Sequence, residues 1–173
     1  MRGIVFAYRP TGMWAFSGSE ARFAYISKYL RNMEVEFDVI ENLPPLSEFL
    51  SVAFNSFPVK LVLQRNVYAS YPEWIAKCIT KLVELTRKKS YNFVYATNNN
   101  LFNLTAGFLA KRKLNLPLVA VVHHLRWQEF LSVPPAPFFH LTRTCSLLRS
   151  FGLDWFNASA TTIGALVEHI LLR

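Results

Sequence analysis

Short apolar runs of strand length alternate along the chain with stretches in which apolar residues recur every three or four positions. Gly3-Ile4-Val5-Phe6-Ala7-Tyr8 is a continuous apolar run with β-branched and aromatic members, the pattern of a strand buried on both faces. After a glycine-containing loop, Arg9 to Ser19, the residues Phe23, Ile26, Leu30 and Met33 fall at helical spacing. Ser17-Gly18-Ser19-Glu20 fits a capping box at the start of that helix. Val35 to Ile40 alternates as a second strand, and Pro44-Pro45 then breaks the chain. Ser47 to Phe57 reads as a short helix stopped by Pro58, and Lys60 to Gln64 as a short strand.

Ser70-Tyr71-Pro72-Glu73 forms a second capping-box pattern, followed by a helix whose Ile75, Cys78, Ile79, Leu82 and Leu85 share a face. Its end at Arg87-Lys88-Lys89 puts cations where the helix dipole favours them. Asn92 to Thr97 is the next strand. The Asn98-Asn99-Asn100 turn caps a helix, Leu101 to Leu114, and Pro117 precedes a strand, Leu118 to Val122. A proline-rich loop, Val133 to Pro137, leads to a helix, Phe138 to Ser150, with Gly152 as its stop. Ala158 to Ile163 and Ala165 to Leu172 complete the pattern as a last strand and helix. Strands separated by helices of about 10–15 residues predict βαβ units. The expected fold is therefore a three-layer α/β/α Rossmann-like domain with a mainly parallel sheet. Ligands in such sheets sit beyond the carboxyl ends of the strands. Attention falls on three loops: Arg9–Ser19, Thr97–Asn100 and His123–Pro137.

The length of 173 residues suits one domain, and 52% hydrophobic with 17% charged residues excludes a disordered or collagen-like chain. So apolar a composition leaves some apolar surface for a partner. The net charge of +8 is uneven: residues 1–84 carry nine basic and eight acidic side chains, residues 85–173 ten and three. That excess attracts phosphate, whether of nucleic acid, anionic lipid or a diphosphate. The apolar, aromatic stretch Leu46 to Phe57 adds to an expectation of docking at an anionic membrane surface. No stretch approaches the length of a membrane span, and the first residues do not read as a signal peptide. Cys78 and Cys145 lie in apolar runs without CxxC, which reads as two buried free thiols in a reducing, cytoplasmic setting and as no zinc site.

Candidate chemistry concentrates in the first loop and the histidine pair. Free amides at a helix N-terminus favour an anion, and Gly12 and Gly18 let backbone approach it closely. The loop matches neither GxGxxG nor GxxxxGK[ST], so neither a dinucleotide site nor a P-loop is supported. Trp14 and Phe16 are unusual in a loop and either stack on a sugar, touch lipid or fold under the domain. His123 stands at the carboxyl end of a predicted strand, where it can hydrogen-bond a ligand hydroxyl or move a proton near neutral pH. His124 points away from it, and His140 and His169 fall within helices. GxSxG, HExxH and paired carboxylates are all missing, which disfavours hydrolase chemistry.

Taken in order, four stretches resemble the N-terminal domain of family 4 glycosyltransferases, which have the GT-B fold. Ser17-Gly18-Ser19-Glu20-Ala21-Arg22-Phe23 is similar to that family's Gly-Gly-Ala-Glu-Arg signature. Glu34 to Ile40 is similar to its second strand, and Tyr91-Asn92-Phe93-Val94-Tyr95-Ala96-Thr97 to its Tyr-Asp-Val-Val-His-Ala-His stretch. Leu116 to His124 is similar to its Pro-Val-Val-x-x-x-His-Asp segment. The resemblance implies that residues 1–173 form a single acceptor-side domain, one half of a GT-B architecture. It implies sugar transfer, with retention, from a nucleotide-diphosphosugar to a glycan or lipid-linked acceptor, with no metal or cofactor of its own. His123 would hydrogen-bond the transferred sugar, and Gly12, Ser17, Gly18 and Ser19 would lie against the donor diphosphate. Trp14, Thr97, Asn98 and His124 are the acceptor-side candidates. Ser17 and Ser19 flank Gly18 where the family has a glycine pair, Tyr95 and Thr97 stand where it has histidines, and its donor-half Glu-x7-Glu motif does not occur in these residues. A donor-binding half is therefore implied, either as another part of a longer protein or as a separate partner subunit. Two other readings stay open: a non-catalytic Rossmann-like binding module or remnant, and a basic nucleic-acid-binding domain, although no RNA- or DNA-binding motif occurs and many cations sit at predicted helix C-termini.

Overall fold

The computed structural model describes residues 1–9, 18–42, 44–45, 53–62, 70–98 and 100–121. Their elements run β1 (Arg2–Ala7), α1 (Gly18–Arg31), β2 (Glu36–Asn42), β3 (Asn55–Val59), α2 (Tyr71–Thr86), β4 (Phe93–Ala96), α3 (Leu101–Leu114) and β5 (Leu118–Ala120). The predicted elements beyond residue 121 lie outside the described residues.

All five strands are parallel, in the order β3-β2-β1-β4-β5. The described residues, which fall within one compact unit, Met1–Val121, therefore form an α/β Rossmann-like domain. β1 lies at the centre and is buried almost throughout, as its unbroken apolar run predicts. Its alternate residues feed two cores. Ile4, Phe6 and Tyr8 pack with Ile40, Val94 and the inner faces of α2 and α3, among them Trp74, Cys78, Leu82, Phe102 and Ala106. Val5 and Ala7 pack on the other face with Phe37, Val39, Tyr95 and Phe23 of α1. Helices thus cover both faces of the sheet, giving three layers. Each large side chain buried in these layers contributes about 1.5–3 kcal/mol. At Gly107 α3 comes so close to the sheet that an added Cβ would stand 3.1 Å from a Leu118 methyl.

Several local expectations are corrected. β2 runs on to Asn42, beyond the expected end at Ile40, and is buried on both faces, so its polar Asp38, Glu41 and Asn42 are interior positions. The third strand lies at Asn55–Val59, overlapping the end of the expected helix, and Lys60 to Val62 is outside any strand. Pro58 is tolerated because β3 is the edge strand among the described residues, paired there with β2 alone. Residues 47–52 of that expected helix lie outside the described residues. Met33 follows the end of α1 in a turn and is exposed instead of joining the core face. Ser70 makes no side-chain cap on α2: its hydroxyl meets the Tyr8 hydroxyl at 2.9 Å, and Glu73 accepts from the Val62 amide at 2.9 and 3.0 Å. Asn100 does cap α3, accepting from the Asn103 amide at 2.8 Å, and Asn115 closes that helix in the left-handed conformation.

Candidate functional site

Strand order reverses between β1 and β4, the one point in this sheet from which successive connections depart in opposite directions. The chain leaves β1 through Tyr8 and Arg9, and leaves β4 through Thr97 and Asn98, side by side at the carboxyl edge. α1 and α3 both begin at this edge, since each follows one of these strands.

A polar network ties the edge together. The side chain of Asn103, fully buried in the first turn of α3, accepts from the Tyr8 amide at 2.6 Å. Its Nδ2 donates to Thr97 Oγ1 at 3.1 Å and to Asn98 Oδ1 at 3.0 Å. Thr97 donates its hydroxyl to the Phe6 carbonyl at 3.3 Å, and Asn98 Oδ1 also accepts from the Asn100 amide at 3.2 Å. One asparagine therefore links the exits of β1 and β4 to the start of α3. The stacked Tyr8 and Phe102 rings, 3.9 Å between centroids, support the same junction from below.

A second group continues the rim over β2 and β3. Asn42 and Arg9 bond reciprocally: the Arg9 amide donates to Asn42 Oδ1, and Asn42 Nδ2 to the Arg9 carbonyl, both at 2.7 Å. The Arg9 guanidinium donates to the Asn42 carbonyl at 3.0 Å and to the Pro44 carbonyl, and lies 3.5 Å from Glu41 Oε2. Glu41 is fully buried, and its other carboxylate oxygen accepts from Ser56 Oγ at 2.5 Å. Its charge is thus compensated by a guanidinium and a hydroxyl, as a buried carboxylate requires. Arg9 is also the last described residue before the first candidate loop, so the strand end that launches the loop is held at backbone and side chain alike.

Of the residues singled out in the sequence, Thr97 and Asn98 stand in this network, and Gly18 and Ser19 open α1. Gly12, Trp14, Ser17, His123 and His124 lie outside the described residues. The Thr97 hydroxyl both donates and accepts within the protein. It contributes a fixed strand end to this edge and not a nucleophile. Tyr95, where the resembling family carries a histidine, packs beneath α1 with its ring centroid 5.3 Å from that of Phe23, and burial raises its phenol above the ordinary value. Sequence reasoning passed over Arg9, Glu41, Asn42, Ser56 and Asn103. A signal existed for three of them: Asn103 interrupts an otherwise apolar run, and Glu41-Asn42 ends a strand with two polar residues. Among the described residues no group of three His, Cys, Asp or Glu side chains gathers as a metal site. Cys78 is a buried free thiol that burial pushes well above its ordinary pKa, so it is not a thiolate nucleophile. Among the described residues no helix is long and apolar enough to cross a membrane.

The site thus belongs to an α/β domain with a Rossmann-like parallel sheet and a built polar rim at its switch point. No protein-family model and no curated protein matches the chain. Among solved structures it is similar to the C-terminal domain of a hydrogenase from Pyrococcus furiosus, with a TM-score of 0.48 and 12% identity, covering 69% of this chain and 89% of that one.

Proposed function

We propose that the chain is the acceptor-side half of a retaining glycosyltransferase of GT-B architecture. The observation that carries this reading is the strand order. With β1 beside β4, the loop after Arg9 and the turn at Thr97–Asn98 leave adjacent strand ends. These are two of the stretches on which the resemblance to family 4 glycosyltransferases rests. The rim built by Asn103, Asn42 and Arg9 supports it further, because a transferase must hold its acceptor hydroxyl in fixed geometry against a leaving diphosphate. In this reading the amides opening α1 at Gly18 and Ser19, with Gly12 and Ser17, face the developing diphosphate charge. His123 hydrogen-bonds the transferred sugar, and Trp14, Asn98 and His124 contact the acceptor, while the buried Thr97 fixes the strand end beside them. The donor nucleotide is held by a second half bearing the Glu-x7-Glu motif.

The test is transfer of labelled sugar from a panel of uridine- and guanosine-diphosphate sugars, with the donor-binding half supplied. His123→Ala is expected to lower turnover by about 100-fold or more while leaving the thermal melt unchanged. Unchanged turnover in that variant, or no transfer from any donor with both halves present, would overturn the reading.

A further inference from the structure

The positive excess of the chain is concentrated in one short stretch. Residues 85–121 carry six cations, Arg87, Lys88, Lys89, Lys111, Arg112 and Lys113, and no acid, whereas residues 122–173 nearly balance with four basic and three acidic side chains. Folding gathers the six at one place. α2 and α3 lie side by side on one face of the sheet, tied by Trp74 Nε1 donating to the Phe102 carbonyl at 3.2 Å and the Tyr71 hydroxyl donating to Thr105 Oγ1 at 3.0 Å. Each helix leads into a parallel strand, so both end at the amino edge of the sheet, and packed helix axes lie about 8–10 Å apart. All six cations except Lys89 are exposed. Lys89 is taken up by Asp38 at 2.9 Å, and Lys88 shares Glu84 with Lys81 at 4.0 and 2.6 Å. Among the described residues Arg87, Lys111, Arg112 and Lys113 have no acidic partner, and Arg112 lies over the Phe108 ring at 5.7 Å. The other acids of this edge are Glu36, which is paired with Arg2, and Glu34, in the turn after α1, the helix that covers the opposite face.

We propose that this paired helix end binds the phosphate backbone of a nucleic-acid duplex without reading its sequence. The helix dipole accounts for part of the clustering, but two helix ends present only about one negative charge between them. The four cations without acidic partners exceed that, and they are left to an outside anion. A duplex carries about one phosphate charge per 1.7 Å of its axis, so cations spread over two neighbouring helix ends meet several phosphates at once. Its charges are also held on a rigid helix, whereas an acidic peptide must first order its flexible side chains. Single strands are held largely by stacking on aromatic side chains. Among the described residues of α2 and α3 no aromatic side chain is exposed, and Phe108 is half-buried beside Arg112. Lysine and arginine contacts to phosphate fix the position of a duplex and carry no sequence information. The inference is independent of sugar transfer, because the cations stand at the opposite end of the sheet from the carboxyl edge.

Fluorescence anisotropy of the full chain with short labelled DNA duplexes of two unrelated sequences, repeated over a series of salt concentrations, tests it directly. Both duplexes are expected to bind alike. The logarithm of affinity falls against the logarithm of salt with a slope of about −3.6, since each of four neutralised phosphates contributes about 0.9. Lys111→Gln with Lys113→Gln flattens that slope by about 2 and lowers the affinity at low salt about tenfold, and Arg87→Gln alone flattens it by about 1. Lys111→Arg with Lys113→Arg keeps both slope and affinity. Lys28→Gln with Arg31→Gln, on α1, removes the same charge elsewhere and leaves both unchanged. These positions are exposed, and an unchanged thermal melt certifies the fold of each variant. No binding at low salt, a slope indifferent to the α3 pair and to Arg87→Gln, or equal losses through the α1 pair would overturn the proposal. So would a strong preference between the two duplexes, or tighter binding of polyglutamate or of single-stranded DNA than of either duplex.

Discussion

The Asp38 side chain is fully buried in β2, although its segment alternates apolar with polar residues. Lys89 Nζ donates to its two oxygens at 2.9 and 3.1 Å, the Tyr91 hydroxyl at 2.8 Å and Asn55 Nδ2 at 2.7 Å. Burial by itself raises its pKa, but these donors outweigh that effect and hold the carboxyl below its ordinary value. The same bond, added to burial, pushes the Tyr91 phenol well above its usual range. A carboxyl depressed on folding stabilises the protein fully above its unfolded pKa, near 3.8, and loses that contribution as pH falls through the lower folded value. Asp38→Asn is therefore expected to cost about 2 kcal/mol at neutral pH. It also flattens the loss of stability below about pH 4. Urea titrations of both proteins from neutral to acid pH check this, and parallel curves would contradict it. The partners of Asp38 lie 17, 51 and 53 residues away, and alternation along a strand carries no trace of such distant donors.

At the scale of elements, Asn103 has the largest reach. It joins β1, β4 and α3 through one side chain, so Asn103→Ala leaves a buried Tyr8 amide without its acceptor. The expected loss is about 2 kcal/mol in urea denaturation, because an orphaned buried donor forfeits its full desolvation cost. Faster amide exchange at Tyr8 is expected with it, and unaltered exchange there would remove Asn103 from this role. The elements that sequence located best are those with local causes. β1 follows from an unbroken apolar run, α2 from one apolar stripe, and α3 from the Asn100 cap. The elements it misplaced depend on neighbours. β3 tolerates Pro58 because, among the described residues, it pairs with β2 alone, which no local pattern encodes. Ser70 has the sequence setting of a cap, but Tyr8, 62 residues away, takes up its hydroxyl. The rim was half legible for the same reason: Thr97 and Asn98 follow a strand in sequence, whereas Arg9, Glu41 and Ser56 meet only once β1, β2 and β3 are aligned.

For the whole molecule, the two ends of the sheet differ in character. Toward the amino end the Asp38 cluster is a structural tie with every bond turned inward. The carboxyl end is also tied, but there the chain leaves β1 and β4 at adjacent strand ends and α1 and α3 begin. That asymmetry is what the switch-point rule anticipates for a ligand-binding α/β domain. It makes the position of the ligand the central claim. The measurement that tests it most directly is an amide-resolved NMR titration of the chain with an oligosaccharide panel. The account predicts that a bound saccharide shifts the amides of Tyr8, Gly18, Thr97 and Asn98 while those of Asp38, Lys89 and Tyr91 stay in place. No shift at the carboxyl edge with any saccharide, or shifts gathered around Asp38 and Tyr91, would contradict it.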